Sequence, residues 1–268
     1  MPELPEVETI ARDLAPLLRG RRVMSVRAAR RPPVFEGASL APRLLRNRRI
    51  DNVGRAGKFI VLELDDQLRL AVHLRMTGNL LYHVSNKPVP YTRATFELDN
   101  GARLIFADVR KFGRMRIFVG DARAALGVGV DPFDKELDAN RFGQLSRGRK
   151  VPVKVWLLDQ KRLAGVGNIY ACESLFYARL RPKRRVGKLS LEERSRLLVS
   201  LRRVLRRAIR HRGSSIDDYV DAEGKEGEFQ KQLSVYGRAG MPCRRCGTPI
   251  RRIVLAQRGT FYCPVCQR

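Results

Sequence analysis

The sequence predicts an α+β protein with an N-terminal antiparallel β-sandwich, a helical region and a C-terminal metal-binding hairpin. Short apolar runs separated by polar turns fill residues 59–119, a spacing typical of antiparallel sandwiches. A helical pattern follows from about residue 134 to residue 211, and two Cys-x2-Cys pairs lie beyond it. The predicted domains are 1–120, 131–225 and 234–268.

The first predicted element is a helix over residues 5–19. Pro5 suits a first helical turn, and Glu6 complements the positive end of the helix dipole. Four apolar residues recur at helical spacing and predict a buried face. They are Val7, Ile10, Leu14 and Leu17.

Six strands are predicted after this helix. Their ranges are 59–64, 68–74, 79–84, 93–98, 102–106 and 115–119. Asn100-Gly101 stands between the fourth and fifth strands. An Asn-Gly pair between apolar runs is a strong indication of a tight hairpin.

Four helices are predicted between residues 131 and 212, over 134–146, 152–160, 168–178 and 190–211. Gly165-Val166-Gly167-Asn168 separates the second from the third. Asn168 suits a helix N-cap, and the glycines would let the backbone approach a phosphate. A plain helix–helix turn is the alternative interpretation of this stretch.

The four cysteines Cys243, Cys246, Cys263 and Cys266 predict one structural zinc ion. The 16 residues 247–262 separate the two pairs, a spacing typical of four-thiolate zinc sites. Four thiolates fill a tetrahedron and leave no position for a reactive water. Disulfides are the weaker alternative in a reducing compartment. The fifth cysteine, Cys172, is interpreted as a buried small apolar residue.

The charge of the chain favours nucleic acid as its partner. Lys and Arg number 54 against 27 Asp and Glu, which gives a net charge of +27. Such a surface suits a polyanion, and anionic membranes or acidic proteins are weaker interpretations. The sequence contains no apolar run of membrane-spanning length and no signal-peptide pattern. We therefore expect the protein in the cytoplasm, associated with the nucleoid, and no membrane partner. We also expect a monomer.

The N-terminal sequence Met1-Pro2-Glu3 offers a nucleophile. Removal of Met1 would expose the secondary amine of Pro2, and a terminal amine has an ordinary pKa of about 8, against about 10.4 for lysine. Attack of this amine on a sugar C1′ gives an iminium ion, an electron sink for bond cleavage. An ordinary protein start followed by a helix is the alternative interpretation.

Seven separated sequence blocks together resemble one family. They are residues 1–9 (MPELPEVET), 57–59 (GKF), 73–78 (HLRMTG), 108–113 (DVRKFG), 165–170 (GVGNIY), 235–238 (VYGR) and 257–263 (QRGTFYC). Their identity and order resemble the formamidopyrimidine-DNA glycosylases, bacterial repair enzymes for oxidised purines. The resemblance implies that 131–225 is a helix–two-turn–helix domain and that 234–268 is a zinc finger.

The resemblance also implies a set of catalytic residues. Pro2 would form a Schiff base with the sugar of a flipped-out nucleotide, and Glu3 would act as general acid. Glu6 would support the site, although a favourable charge in the first helical turn explains it equally well. Lys58 and Arg258 would assist the β- and δ-eliminations that cut the strand, and no organic cofactor is expected. For Arg258 we favour phosphate binding over proton transfer, since a guanidinium rarely loses a proton.

The same resemblance implies the DNA contacts. Met76, Arg110 and Phe112 would fill the space left by the flipped base, whereas simple core packing is the alternative for Met76 and Phe112. The expected phosphate-side residues are Tyr91, Lys150, Lys154 and Asn168. Residues 214–226 are expected to contact the lesion. Lys111 stands where arginine is commoner in the family, an exchange expected to alter a phosphate or opposite-base contact without changing the reaction.

Two other functions compete with this hypothesis. An endonuclease VIII-like glycosylase would use the same proline but prefer oxidised pyrimidines. A non-catalytic zinc protein would bind DNA by charge alone and would form no covalent adduct with it.

Overall fold

The computed structural model of the protein describes residues 1–36, 41–85, 87–216 and 219–268. The chain forms two compact units. The first contains Met1–Gly127 and His211–Gln230, and the second contains Val128–Arg210 and Lys231–Arg268. The packing units therefore do not follow chain order, whereas the predicted domain limits 1–120, 131–225 and 234–268 do.

Helix α1 (Leu4–Leu18) opens the first unit, one residue earlier than predicted. Val7, Ile10 and Leu14 are fully buried, as their spacing predicted. The prediction for Leu17 was wrong, because Leu17 is only partly buried and Leu18 takes the core position instead. Leu18 lies one helical turn after Leu14 on the face that contacts the sheets.

The remaining elements of the first unit are mainly strands. In chain order they are β1 (Val23–Ala28), α2 (Ala41–Leu45), β2 (Ile50–Ala56), β3 (Phe59–Leu64), β4 (Leu68–His73), β5 (Gly78–His83), β6 (Thr92–Leu98), β7 (Arg103–Asp108), β8 (Arg114–Val119) and α3 (Ala122–Leu126). The strands form two four-stranded sheets, ordered β1-β6-β7-β5 and β2-β3-β4-β8. All their pairings are antiparallel, so the predicted β-sandwich is confirmed.

The two strands that sequence reasoning missed, β1 and β2, each lie at the edge of a sheet. An edge strand can expose polar side chains along its free side, and β2 carries Asp51, Asn52 and Gly54. The apolar alternation that revealed the other strands is therefore weak here. The predicted Asn100-Gly101 hairpin is confirmed, with Gly101 at φ +79° between β6 and β7.

The second unit is built from helices and one hairpin. Its elements are α4 (Ala139–Ser146), α5 (Val153–Leu157), α6 (Asn168–Tyr177), α7 (Leu191–Arg210), β9 (Arg251–Leu255) and β10 (Arg258–Tyr262). The helix predicted from residue 134 begins later, because Asp138 caps α4 by accepting a 2.7 Å hydrogen bond from the Arg141 N–H. The helix predicted over 152–160 ends at Leu157.

Helix α7 has 20 residues and two different faces. Leu197, Leu201 and Leu205 are fully buried, while arginines occupy much of the rest of the helix. Two of these arginines, Arg203 and Arg206, lie over aromatic rings of the same unit. Within the described parts of the chain, none of the helices has the length and apolar character needed to cross a membrane.

Candidate active site and zinc site

The start of α1 places Pro2 and Glu3 in a buried position. The Glu6 carboxylate fixes this turn from both sides. Its Oε2 accepts the Glu3 N–H at 2.8 Å, and its Oε1 accepts the Ser214 N–H at 2.8 Å. Glu6 thus connects Glu3, the candidate general acid, to the segment that follows α7 in the chain and belongs to the first unit.

Gly213 makes this approach possible. It has φ +81°, and a Cβ there would lie 2.8 Å from the Glu6 Cγ. Any side chain at this position would push the Glu6 carboxylate away from α1. The contact between Glu6 and residues 213–214 therefore requires glycine.

An ion-pair network holds the returning segment beside α1. The Arg212 Nη2 donates 2.6 Å hydrogen bonds to the Asp13 Oδ2 and to the Asp221 Oδ2. Asp221 is fully buried, and its other oxygen accepts the Glu223 and Lys225 N–H groups at 2.9 Å each. Residues 217 and 218 of the predicted lesion-contact segment, 214–226, lie outside the described residues.

Lys58 occupies a tight turn rather than a strand. Ala56 pairs with Phe59, so Gly57 and Lys58 form a two-residue connection between β2 and β3. Gly57 has the positive φ of +58° that such turns require. The Lys58 side chain is buried.

His73, to which sequence reasoning gave no role, belongs to the same region. Its ring contacts the edge of Phe59 at 4.6 Å between centroids, and its Nδ1 accepts the Arg75 N–H at 3.0 Å. Burial, with the positive charges of Arg75 and Lys58, lowers the pKa of His73 to about 3. The ring is therefore neutral at pH 7 and carries its proton on Nε2. Its position in the 73–78 block was the only sequence signal.

The lowered pKa of His73 makes stability depend on pH. Between pH 6.5 and 3 the unfolded histidine binds a proton that the folded one does not, so acidification favours unfolding. We expect this group to reduce the free energy of unfolding by up to about 1.4 kcal/mol per pH unit just below pH 6. The measurement is urea denaturation between pH 7 and pH 5, before most carboxylates titrate. His73→Asn should flatten this slope, whereas the control His83→Asn should keep it. Equal slopes for all three proteins would contradict the assignment.

Met76, Arg110 and Phe112 lie together on the surface of the first unit. The Arg110 Nη1 donates to the Met76 Sδ at 3.2 Å, and its guanidinium lies 4.9 Å from the Phe112 ring centroid. Met76 and Phe112 are 41% and 49% exposed. Simple core packing, the alternative for these two residues, is therefore wrong.

The buried carboxylate of Asp108 organises the loops that present these side chains. It accepts the Thr77 hydroxyl at 2.5 Å, the Gly113 N–H at 2.7 Å and the Arg110 N–H at 3.2 Å. The Asp108 N–H donates to the Tyr91 carbonyl at 3.0 Å, and the Tyr91 side chain is 63% exposed. Asp108, at the end of β7, thus connects the loop between β4 and β5, the loop between β7 and β8, and Tyr91.

In the second unit, Asn168 is the first residue of α6, and Gly167 takes the N-cap position that we predicted for Asn168. The Asn168 Nδ2 donates to the Gly259 carbonyl at 3.0 Å. Lys154 is fully buried, and its ammonium donates to the same carbonyl at 3.2 Å and to the Thr260 hydroxyl at 2.7 Å. Lys150, in contrast, is exposed.

These contacts anchor the backbone that carries Arg258. Ala256 and Gln257, at φ +46° and +57°, form a two-residue turn between β9 and β10. Arg258 begins β10, and its side chain is exposed. The hairpin therefore presents a guanidinium from a backbone that Asn168 and Lys154 hold at Gly259.

The four predicted zinc ligands come together at the base of this hairpin. The Sγ atoms of Cys243, Cys246, Cys263 and Cys266 all lie within 4.8 Å of one another. Two of these distances are 3.5 Å and 3.9 Å, close to the roughly 3.8 Å between ligands of a tetrahedral zinc with Zn–S bonds of about 2.3 Å. The Arg245 N–H donates to the Cys243 Sγ at 3.4 Å.

Glu173 of α6 connects the helices to the zinc hairpin. Its buried carboxylate accepts the N–H groups of Ser234, Val235 and Tyr236 at 2.8–3.1 Å. Burial raises the pKa of Glu173, while these backbone hydrogen bonds lower it. Cys172, beside it, is fully buried in an apolar cluster, as predicted.

A β-sandwich that begins with a Pro-Glu helix, joined in one chain to a helical unit with a four-cysteine hairpin, defines the helix–two-turn–helix DNA glycosylases. Three protein-family models match consecutive parts of the chain. The formamidopyrimidine-DNA glycosylase N-terminal domain matches residues 1–115, the H2TH domain of the same enzymes matches 128–220, and the zinc finger found in FPG and IleRS matches 240–268.

Full-length relatives agree with these matches. The chain is 43% identical to the formamidopyrimidine-DNA glycosylase of Herpetosiphon aurantiacus, with 100% of both chains covered. A Lactococcus lactis FPG mutant in complex with Fapy-dG-containing DNA matches with a TM-score of 0.90 and 33% identity over 100% of both chains. Wild-type Lactococcus lactis Fpg with oxidised-pyrimidine-containing DNA matches with a TM-score of 0.89 and 34% identity, also over 100% of both.

The chain belongs to the formamidopyrimidine-DNA glycosylase family. It is a DNA repair enzyme with a zinc finger, so the alternative of a non-catalytic zinc protein is wrong. Cys243, Cys246, Cys263 and Cys266 hold one structural zinc ion.

Proposed function

We propose that the protein excises oxidised purines from duplex DNA through a Schiff base at Pro2 and then cuts the strand by β,δ-elimination. The observation that carries this proposal is the buried Pro2-Glu3 pair at the start of α1, held by the Glu6 carboxylate. The protein acts as a monomer, since one chain supplies every group the reaction needs. Its substrates are 8-oxoguanine and formamidopyrimidines in double-stranded DNA.

The first step replaces the bond between sugar and base. Once Met1 is removed, the Pro2 nitrogen attacks C1′ of the flipped nucleotide, and the base leaves with the electrons of the glycosidic bond. Glu3 protonates the sugar ring oxygen, so the ring opens and a C1′ iminium forms. A carboxylic acid held in a buried site can retain the proton that this step requires.

The second step uses the iminium as an electron sink. Loss of a C2′ proton expels the 3′-phosphate, and a further proton loss from the conjugated intermediate expels the 5′-phosphate. Lys58, in the turn between β2 and β3, assists proton transfer in the first elimination. Arg258 binds the phosphate and stabilises its charge in the second, because a guanidinium keeps its proton at physiological pH.

Opening of the duplex is assigned to the exposed group of Met76, Arg110 and Phe112. The apolar side chains occupy the space of the flipped base, and Arg110 hydrogen-bonds the base left without a partner. Tyr91, Lys150 and Asn168 contact the phosphates. Lys154 acts on the phosphates through the Gly259 backbone, because its ammonium is buried there. These contacts position the protein but carry no lesion specificity.

The relatives support two lesion classes. The solved Lactococcus lactis complexes contain a formamidopyrimidine in one case and an oxidised pyrimidine in the other. Oxidised pyrimidines, the preferred substrates of the endonuclease VIII-like alternative, are therefore the second candidate for this protein. The net charge of +27 suits DNA as the partner, and the nucleoid in the cytoplasm is the proposed place of action.

A comparison of lesions tests this proposal. Single-turnover excision should be at least about tenfold faster for 8-oxoguanine opposite cytosine than for thymine glycol, because a site that hydrogen-bonds an oxidised purine leaves polar groups unpaired when a pyrimidine enters it. Glu3→Gln is the control for chemistry. It should reduce base excision about 100-fold or more while the protein still cuts preformed abasic sites. Faster removal of thymine glycol would favour the endonuclease VIII-like function instead.

A further inference from the structure

Arg212 has a backbone conformation in which glycine would be the least strained residue. Its φ is +57°, in the left-handed region that L side chains rarely adopt. A residue stays in this region only where surrounding contacts hold it there. Its guanidinium forms ion pairs with Asp13 and Asp221, and we call these three residues the Arg212 network.

The Arg212 network closes the stretch 213–220 at its base. The Arg212 Nε and Nη2 donate to one oxygen of Asp221, Oδ2, at 3.0 Å and 2.6 Å. Because Arg212 precedes the stretch and Asp221 follows it, these bonds hold its two ends together. The same Nη2 donates to Asp13 of α1 at 2.6 Å, so the closed base is attached to the helix that follows Pro2.

A second carboxylate of α1 holds the same stretch nearer to the start of the helix. Glu6 and Asp13 are seven positions apart, which is about two helical turns or roughly 10 Å along one side of the helix. Glu6 accepts the Ser214 N–H at 2.8 Å. Tyr219 is buried, and its hydroxyl lies 3.5 Å from the Glu6 carbonyl oxygen. The described parts of 213–220 therefore lie along one side of α1.

The other end of the network is fixed to the β-sandwich. The second oxygen of Asp221 accepts the Glu223 and Lys225 N–H groups, which closes a turn. Ala222 is fully buried in the core, and its carbonyl accepts the Tyr82 N–H of β5 at 3.1 Å. The network therefore connects α1 to a part of the chain that the core already holds, through contacts within the first unit.

We propose that Arg212 is a positioning residue for base excision, and that its network holds residues 213–220 in register with Glu3, the candidate general acid. The Glu3 and Ser214 N–H groups bind the two oxygens of the Glu6 carboxylate, so a displaced stretch would lose this alignment. The inference rests on the proposed function, because it concerns the release of a damaged base.

The network should matter for only one of the two proposed steps. Base excision requires the damaged base to be held while its bond to the sugar breaks. Strand cutting at a preformed abasic site involves no base, so residues 213–220 have no base to hold there. A loss confined to base excision therefore identifies a positioning role, whereas a loss of general stability would reduce both reactions.

Single-turnover kinetics on two duplexes test this inference. Arg212→Gly removes the guanidinium and suits the left-handed backbone. Excision of 8-oxoguanine opposite cytosine should slow at least about tenfold, since a misplacement of about 1 Å can cost about 100-fold in rate. Cutting of a preformed abasic site should change by less than about twofold, as should the affinity for a duplex with a tetrahydrofuran abasic-site analogue. The loss thus falls on the rate at saturating protein and not on DNA binding.

Arg48→Gly is the matched control. Arg48 also pairs with two carboxylates of the first unit, those of Asp65 and Asp66, between β3 and β4. Its replacement removes the same group at a position away from residues 213–220. The ratio of the two rates should therefore equal that of the parent, even if the protein unfolds at a lower temperature.

Asp13→Ala is a second and milder variant, since it keeps the pair between Arg212 and Asp221 and places a good helix former in α1. It should slow excision at least about threefold and leave abasic-site cutting unchanged. Amide hydrogen exchange should increase at residues 213–216 and 219–222 in both network variants but not in the control.

Two results would overturn the inference. The first is equal slowing of excision and of abasic-site cutting in Arg212→Gly, which would make Arg212 a residue of general stability. The second is unchanged excision in Arg212→Gly although exchange at 213–216 has increased, which would separate the position of this stretch from base release. A parent protein that excises no oxidised purine would instead contradict the proposed function itself, whatever the variants do.

Discussion

Replacement of Pro2 by glycine is expected to reduce covalent trapping on an 8-oxoguanine duplex by roughly 100-fold or more, about 2.7 kcal/mol of barrier. The secondary amine of proline gives an iminium that keeps its positive charge, whereas a glycine amine gives an imine that can lose it. Glycine would also leave empty the buried space that the Pro2 ring occupies. The measurement is borohydride reduction of the reaction, followed by quantification of the protein–DNA adduct.

Glu3→Gln provides the matched control, because it keeps the Pro2 amine and the Glu6 hydrogen bond to the residue-3 N–H. It should still trap a preformed abasic site. Mass spectrometry of the digested adduct should find the sugar on residue 2. A sugar attached to Lys58, or full activity of a protein that retains Met1, would contradict the mechanism.

The parts of the fold that were predicted correctly depend on local signals. The zinc ligands follow from the spacing of four cysteines, and strands β3 to β8 follow from their apolar runs. Strands β1 and β2 give weaker signals, because polar or charged residues interrupt their apolar runs. An edge position alone does not hide a strand, since β5 and β8 also lie at sheet edges and were predicted. Whether Leu17 or Leu18 is buried depends on the exact rotation of α1 against the sheets, which the sequence alone does not determine.

In the candidate site, too, the sequence identified residues but did not predict the long-range contacts that position them. The resemblance selected Glu6, but its link to Ser214 joins residues 208 positions apart, and no local pattern contains such a contact. The burial of Lys154 likewise depends on Gly259 and Thr260, more than 100 positions away. Lysine is rarely buried without partners, and the resemblance implied only a phosphate-side contact for Lys154. His73 was missed because a lone histidine indicates nothing until its neighbours are known.

Loss of zinc is expected to abolish strand cutting by disordering the hairpin that carries Arg258. Structural zinc contributes about 10–16 kcal/mol to the folding of small zinc domains, and this hairpin has little core of its own. Its buried residues are mainly Cys243, Ile250, Thr260 and Cys263. Cys263→Ser should therefore lower the zinc content and increase amide hydrogen exchange across residues 240–268. Cleavage of an abasic-site duplex should fall in parallel.

Cys172→Ser is the control for this experiment, because Cys172 is buried in the same apolar cluster but binds no metal. It should keep one zinc ion per protein and normal exchange in the hairpin, even if the unit is somewhat less stable. Since Asn168 and Lys154 both hold Gly259, we also expect exchange to increase at the start of α6 when zinc is lost. If Cys263→Ser lost its zinc but kept a protected hairpin and normal strand cutting, the hairpin would not depend on the metal. Arg258 would then be positioned by the Gly259 contacts alone.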